Sequence, residues 1–345
     1  MGDNSDYDIK GFAQVIRPDA ETEKTKGGFW GGLVDKGYGL MDNKLPFFLT
    51  MAAIVILACL VPVFGNKYIL EVAWNAMFYM LLALGLNIIV GYAGMFDFGY
   101  AAKFAVGAYT SGILVHTFGW NFWLTLPVTI ITATIAACII GGPTLRLRSD
   151  YLTIVTLGFG EIIRIAARNL QITGAATGLS GIHRPYLFGV HLTQISHWFY
   201  IFLVLVILYV LISGRIKNSR FGRALEYIRE DEDAAEAMGI DTVRYKLWAY
   251  IIGSILGGIA GSFYVMKMTA ISPNSFQFMQ SANIMLAVVF GGLGKIPGVI
   301  MGAAFLVIFP EIFRGVAEYR MLLFGLLLVI LMIFRPQGLW PERRR

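Results

Sequence analysis

Residues 46–65 read PFFLTMAAIVILACLVPVFG, twenty positions without a charge. Residues 321–334, MLLFGLLLVILMIF, are equally bare. An apolar run of about twenty residues, rising about 1.5 Å each, matches the ~30 Å hydrocarbon layer of a bilayer. No water satisfies backbone N–H and C=O groups inside lipid, so such a run has to be helical. A helix on the surface of a soluble core keeps a polar face, and these runs keep none. Of the 345 residues, 57% are hydrophobic and 14% are charged, against about 45–50% and ~25% in soluble domains. The sequence therefore predicts an all-α fold, a polytopic transmembrane bundle of eight to ten spans, some of them broken by glycine.

The spans are placed near 46–65, 69–90, 100–117, 122–142, 151–170, 197–213, 246–265, 282–294, 298–313 and 320–335. Residues 1–45 make a polar tail. Residues 46–338 make the membrane domain, with a cytoplasmic loop at 214–246, and 339–345 a basic end. With the N-terminus inside, 21 of the 28 Lys and Arg residues fall on the cytoplasmic side, Lys103 and Lys295 among them. Cytoplasmic loops are enriched in Lys and Arg, so both termini are expected there. Trp120, Trp123 and Trp198 then lie near outer ends and Trp248 and Trp340 near inner ends, where aromatic belts form. Basic loops also account for the net charge of +6, without nucleic acid as a partner. Cys59 and Cys138 sit in apolar runs, where cysteine behaves as a small hydrophobe. The four histidines lack a helical ligand spacing, so neither a disulfide nor a metal site is expected.

Two stretches look alike. GYAGMFDFGYAAKFAVGAY (91–109) and GGLGKIPGVIMGAAF (291–305) both begin G-x-x-G and re-enter a helix of small residues. Glycine there either breaks a helix or lets two helices touch. As breaks, Gly91, Gly94, Gly291, Gly292 and Gly294, with Asn87, Phe96, Asp97 and Phe98, are candidates for a translocation path. Phe104 joins Phe96 and Phe98 as a candidate cavity lining. As packing residues, the same glycines need no transport role. Glu161 and Arg164 lie three apart on one span and can pair across a helical turn. A zwitterionic substrate would need a partner for each charge, and the N-terminus of a broken helix is one source for its carboxylate. GGLGKIPG carries Ile296 where a phosphate-binding loop needs Ser or Thr for Mg²⁺. Neither a catalytic centre nor a cofactor site is expected in this chain.

A charged segment, REDEDAAEAMG (229–239), interrupts the apolar pattern. Acids favour a helix start and glycine the position just past its end, so a helix of about two turns is expected here. The spacing Asp233-Ala234-Ala235-x-x-x-Gly239 resembles the EAAxxxG coupling motif of ABC importer permeases, with Asp in place of Glu. A solvated loop helix is the plain alternative. RSDYLTIVTLGFGEIIR (148–164), ITGAATGLSGI (172–182), FGRALEYIREDEDAAEAMGID (221–241), AVVFGGLGKIPGVIMGA (287–303) and YRMLLFGLLLVILMIFRPQGLWP (319–341) together, and in this order, resemble the LivM-type permeases of branched-chain amino acid ABC importers. The resemblance implies an inner-membrane subunit working with a LivH-like second permease. It also implies two cytoplasmic ATPases that bind ATP and Mg²⁺, and a periplasmic amino-acid-binding protein. It assigns Asp231, Glu232, Asp233, Ala234, Ala235 and Gly239 to an ATPase-coupling helix. Two other functions fit the same residues: a urea or short-amide permease of the same kind, and an ion-coupled secondary transporter relying on Asp97 and Glu161.

Overall fold

The computed structural model describes residues 65–145, 149–187 and 190–312, together with Pro62, Gly325, Leu326, Val329, Gly338 and Leu339. The tail, nearly all of the spans at 46–65 and 320–335, and the basic C-terminal end lie outside the described residues. In chain order the helices are α1 (Lys67–Asn87), α2 (Tyr100–His116), α3 (Phe122–Thr144), α4 (Ser149–Asn169), α5 (Ile195–Asn218), α6 (Arg220–Glu230), α7 (Glu232–Ala237), α8 (Thr242–Met268), α9 (Phe278–Gly291) and α10 (Ile296–Ile312). Two antiparallel pairs of two-residue strands accompany them: β1 (Leu179–Ser180) with β4 (Ala270–Ile271), and β2 (Tyr186–Leu187) with β3 (Val190–His191).

α1, α2 and α8 form the centre. In α1 and α8 the most apolar stretch is 72% and 78% buried by the rest of the chain, against 33% in α3 and 28% in α5. The outer pair is nevertheless the more apolar. In water that order would be reversed; in a bilayer lipid solvates the outside, and packing selects the inside. Small residues do the packing, because lipid gives helices no hydrophobic reason to associate. A Cβ on Gly107 of α2 would overlap the Gly258 carbonyl of α8, so the two backbones are in contact there. Beside that crossing Ser111, Thr129 and Ser262 share hydrogen bonds of 2.7–3.1 Å, joining α2, α3 and α8.

Helix boundaries follow local chemistry. α5 runs on through Arg215 and Lys217 because cations are favourable in a last turn. Asp241 accepts from Arg244 N and starts α8 earlier than hydropathy suggests. The loop at 214–246 is therefore mostly helical.

Three side chains differ from the sequence expectation. Lys103 is no cytoplasmic charge: it is 2% exposed and ion-paired with Asp97, so it leaves the topology census. Trp198 is buried rather than in a belt, its Nε1 donating to Leu192 O at 2.9 Å. Phe104 lines no open cavity; it packs in a closed aromatic cluster with Phe78, Tyr264 and Phe276.

Candidate functional site

The two G-x-x-G stretches meet. α1 ends in a π turn at Ile88–Tyr92, a widened turn that proteins use at functional positions. Asn87 Oδ1 on α1 accepts from Gly294 N at 2.9 Å, between α9 and α10. Gly294 has φ +77°, which a side chain would strain. A Cβ on Gly91 would come within 2.6 Å of Gly294 N, so only glycine allows this approach. Two cations hold the pair of breaks from outside. Arg229, in the last turn of α6, donates to Gly91 O at 2.7 Å, and Lys217, in the last turn of α5, donates to Gly294 O at 3.0 Å. Arg229 thereby caps a carbonyl in the last turn before the α1 break, and Lys217 holds a carbonyl of the link between α9 and α10.

α7 follows α6 directly. Asp231 caps it by accepting from Ala234 N at 3.0 Å, and the acids Glu232 and Asp233 fill its first turn. Its end closes with Ile240 N donating to Ala235 O and Gly239 at φ +85°, a left-handed stop. Ala235 turns inward and is 4% exposed, whereas Ala234, Ala237 and Gly239 are open and Met238 is 84% exposed. Glu232 pairs with the buried Lys246 of α8 at 2.5 Å. The arm α6–α7 thus packs on the bundle through buried Leu225, Ile228 and Ala235 and bonds to it at two charged points, Arg229 and Glu232.

α2 and α9 both begin part-way along the bundle. Tyr100, the first residue of α2, donates to Gly253 O well inside α8. Phe98 and Phe278, before α2 and at the start of α9, have ring centroids 5.8 Å apart. At the first turn of α2, Asp97 Oδ1 accepts from Gly99 N and Ser281 Oγ of α9 from Ala101 N, each at 2.9 Å. Asp97 Oδ2 pairs with Lys103, whose ammonium lies 3.3 Å from the centroid of the Tyr250 ring. Phe96 stays 39% exposed beside this turn, where its carbonyl accepts from Thr153 of α4.

On α4, Arg164 Nε and Glu161 Oε2 are 2.7 Å apart; the side chains are 19% and 31% exposed. Gly292, with φ +108°, ends α9, and Gly291 packs against the Gly298 backbone. The sequence pointed to the glycines, Asp97 and the Glu161–Arg164 ion pair. It gave no weight to Arg229, Lys217, Lys246 or Ser281. A base in the last turn of a helix next to a break was the available signal for the first two.

The fold and these charges inside it define a polytopic helical membrane protein with a charged helical arm joined to two helix breaks. Residues 68–334 match the family model described as branched-chain amino acid transport system / permease component, and the chain belongs to that family. It is 38% identical over 320 residues to the Escherichia coli K12 high-affinity branched-chain amino acid transport system permease protein LivM, covering 86% of this chain and 75% of the relative. The probable LivM of Methanocaldococcus jannaschii is 29% identical, over 78% of this chain and 92% of its own. The Salmonella typhimurium permease protein LivH is 24% identical, over 76% and 90%. No solved structure matches the chain.

Proposed function

We propose that this chain is one of two membrane-spanning permease subunits of an ATP-driven importer of branched-chain amino acids. It works in a bacterial inner membrane, with both termini and the α6–α7 arm in the cytoplasm. A LivH-like chain is the second permease, two ATPases bind ATP and Mg²⁺, and a periplasmic protein delivers the substrate. Similarity to both LivM and LivH permeases supports the pairing.

The observation that carries the mechanism is the bond from Arg229 to Gly91 O. An ATPase that grips the open face of α7 moves α6 with it. Arg229 carries that displacement to the α1 break, and Asn87 carries it on to Gly294. Glu232 and Lys246 carry it to α8. Both breaks and α8 therefore respond to one external push. A ligand drives such a change only by binding the two states unequally, and nucleotide on the ATPases supplies that difference. The alternative of an ion-coupled carrier loses its acids: Asp97 is paired with Lys103 and Glu161 with Arg164.

Reconstituting the chain in liposomes with and without the other components, and following labelled leucine, tests this. Uptake is expected only with the full set and ATP. Concentrative uptake by this chain alone under a proton or sodium gradient would overturn it. Uptake of urea in preference to leucine would retain the architecture and overturn the substrate.

A further inference from the structure

We infer that the pairing of β1 with β4 is a strained clasp, that it joins the ends of α4 and α8 far from the arm, and that α9 carries the arm's movement to it. The inference rests on the ATP-driven transport proposed above.

α8 has 27 residues, about 40 Å of helix. Lys246 near its start meets the arm, and Thr269 after its last turn leads straight into β4. The clasp therefore lies at the opposite end of α8 from α7. Its two halves come from distant parts of the chain. After α4, two single 3₁₀ turns, Gln171–Thr173 and Ala175–Thr177, lead into β1. They are fixed to the end of α4: Ala175 N donates to Leu170 O at 3.0 Å, and Thr173 Oγ1 donates to Ala167 O at 2.6 Å. Ser180 then faces Ala270, Leu179 faces Ile271, and Ile182 N donates to Thr269 O at 3.1 Å. A Cβ on Gly178 would lie 2.0 Å from Ile271 O, so the two segments touch through backbone.

Two properties separate this clasp from an ordinary turn. The first is strain. Among the described residues, the two non-glycine positions with positive φ are Ala175 (+50°) and Thr269 (+56°), and each precedes one of the paired strands. Left-handed backbone is unfavourable for a side chain, and most of all for a β-branched one such as Thr269. Strain of this kind persists only where surrounding contacts hold it. Here those contacts centre on a ladder of two residue pairs. A short ladder held against strain on both sides gives the closed form little margin over the open one.

The second property is where β4 leads. Phe276 is buried and packs on Phe104 and Tyr109 of α2, with ring centroids 4.8 and 5.6 Å apart. Two residues later α9 begins beside Phe98. α9 then runs 14 residues to the break at Gly292, and Asn87 and Lys217 hold Gly294 just beyond it. One continuous segment, 269–294, thus has one end in the clasp and the other on groups that the arm moves. A packed helix moves as a rigid element, so a displacement at Gly294 reaches Phe276 and, through it, β4. Nucleotide bound at the arm then biases a contact at the far end of the bundle, and the strain released there favours opening.

The test uses the complete reconstituted set, with Cys59→Ser and Cys138→Ser in this chain. Ser180→Cys with Ala270→Cys places two thiols across the clasp. Opposed residues of antiparallel strands have Cα atoms about 4.5–5.5 Å apart, within reach of a disulfide. Tyr186→Cys with His191→Cys, across the β2–β3 pair, is the control. Oxidation of the clasp pair is expected to cut leucine uptake about tenfold or more, with reductant restoring it, and oxidation of the control pair to leave uptake unchanged. The rate of disulfide formation across the clasp should differ about threefold or more with and without a non-hydrolysable ATP analogue, and Arg229→Ala should abolish the difference. Thr269→Gly keeps the backbone and removes the strain, so uptake should slow by about threefold with ATPase co-purification unchanged. Full uptake through an oxidised clasp would overturn the inference. So would equal loss from the control pair, or a cross-linking rate that ignores nucleotide. Unchanged uptake by Thr269→Gly would overturn the role of strain. A nucleotide-dependent rate in a set that takes up no leucine would retain the clasp and overturn the substrate.

Discussion

Gly107 and Gly239 are chemically identical and do opposite things. Gly107 sits where α2 crosses α8, and a Cβ on it would run into the Gly258 backbone. Gly239 ends α7, and a Cβ on it would meet nothing within 4 Å among the described residues. The first is glycine because the chain itself leaves no room. The second is glycine because the backbone turns left-handed at φ +85°. The central bundle and α7 differ in the same way: one is closed by internal contact, the other is shaped by its own caps and, Ala235 apart, left open. Damage to the bundle should therefore read out as folding, and damage to the arm as lost coupling with folding intact.

The largest effect belongs to the buried pair in the bundle. Asp97→Asn or Lys103→Met alone leaves one charge without its partner in a fully buried site, at a cost of about 3–5 kcal/mol. Thermal unfolding of detergent-solubilised protein should show this, and the double variant should recover much of the loss. Equal stability of all three variants would mean that the bundle is not closed around the pair. Gly107→Leu comes next. Overpacking costs about 1–3 kcal/mol in a core that can adjust, and a backbone contact adjusts poorly. Loss of monodisperse protein in size-exclusion chromatography is the expected result.

In the arm, Arg229→Ala removes a hydrogen bond from a charged donor, worth about 1.5–3 kcal/mol. Because Arg229 spans the arm and the break, the ATPases should still co-purify while ATP hydrolysis no longer drives leucine uptake. Normal uptake would place the coupling elsewhere. Gly239→Leu strains one left-handed residue by about 1–2 kcal/mol. It should reduce ATPase co-purification and leave the bundle's melting temperature unchanged. The smallest effect is that of Glu161→Gln in the isolated chain. The side chains are 19% and 31% exposed and lie one turn apart on a single helix, where such pairs contribute about 0.3–0.5 kcal/mol, within the resolution of a careful melting series.

Much of the molecule was legible from short-range signals. The spans at 69–90, 100–117 and 122–142 follow from hydropathy, and the described helices α1, α2 and α3 fall on them. α7 was legible because its determinants lie within one or two turns: Asp231 before it, acids in its first turn, Gly239 after it. The Glu161–Arg164 contact was legible for the same reason, since three residues is nearly one helical turn. The Lys/Arg count misplaced Lys103, because charge statistics carry no information about a partner on the other side of a break.

What the sequence determined by itself is local: where helices run, how they are capped, and which charges lie one turn apart. Only the tertiary structure decided that Asn87 reaches Gly294 across 207 positions and Arg229 reaches Gly91 across 138. It alone brought Ser281 to the first turn of α2 and placed Phe104 in a sealed aromatic cluster. The physical reason is that helix formation depends on hydrogen bonds four residues apart, which sequence spacing encodes. Packing within a bilayer depends on close fit between distant small residues, because lipid supplies no hydrophobic pattern to mark the inward face.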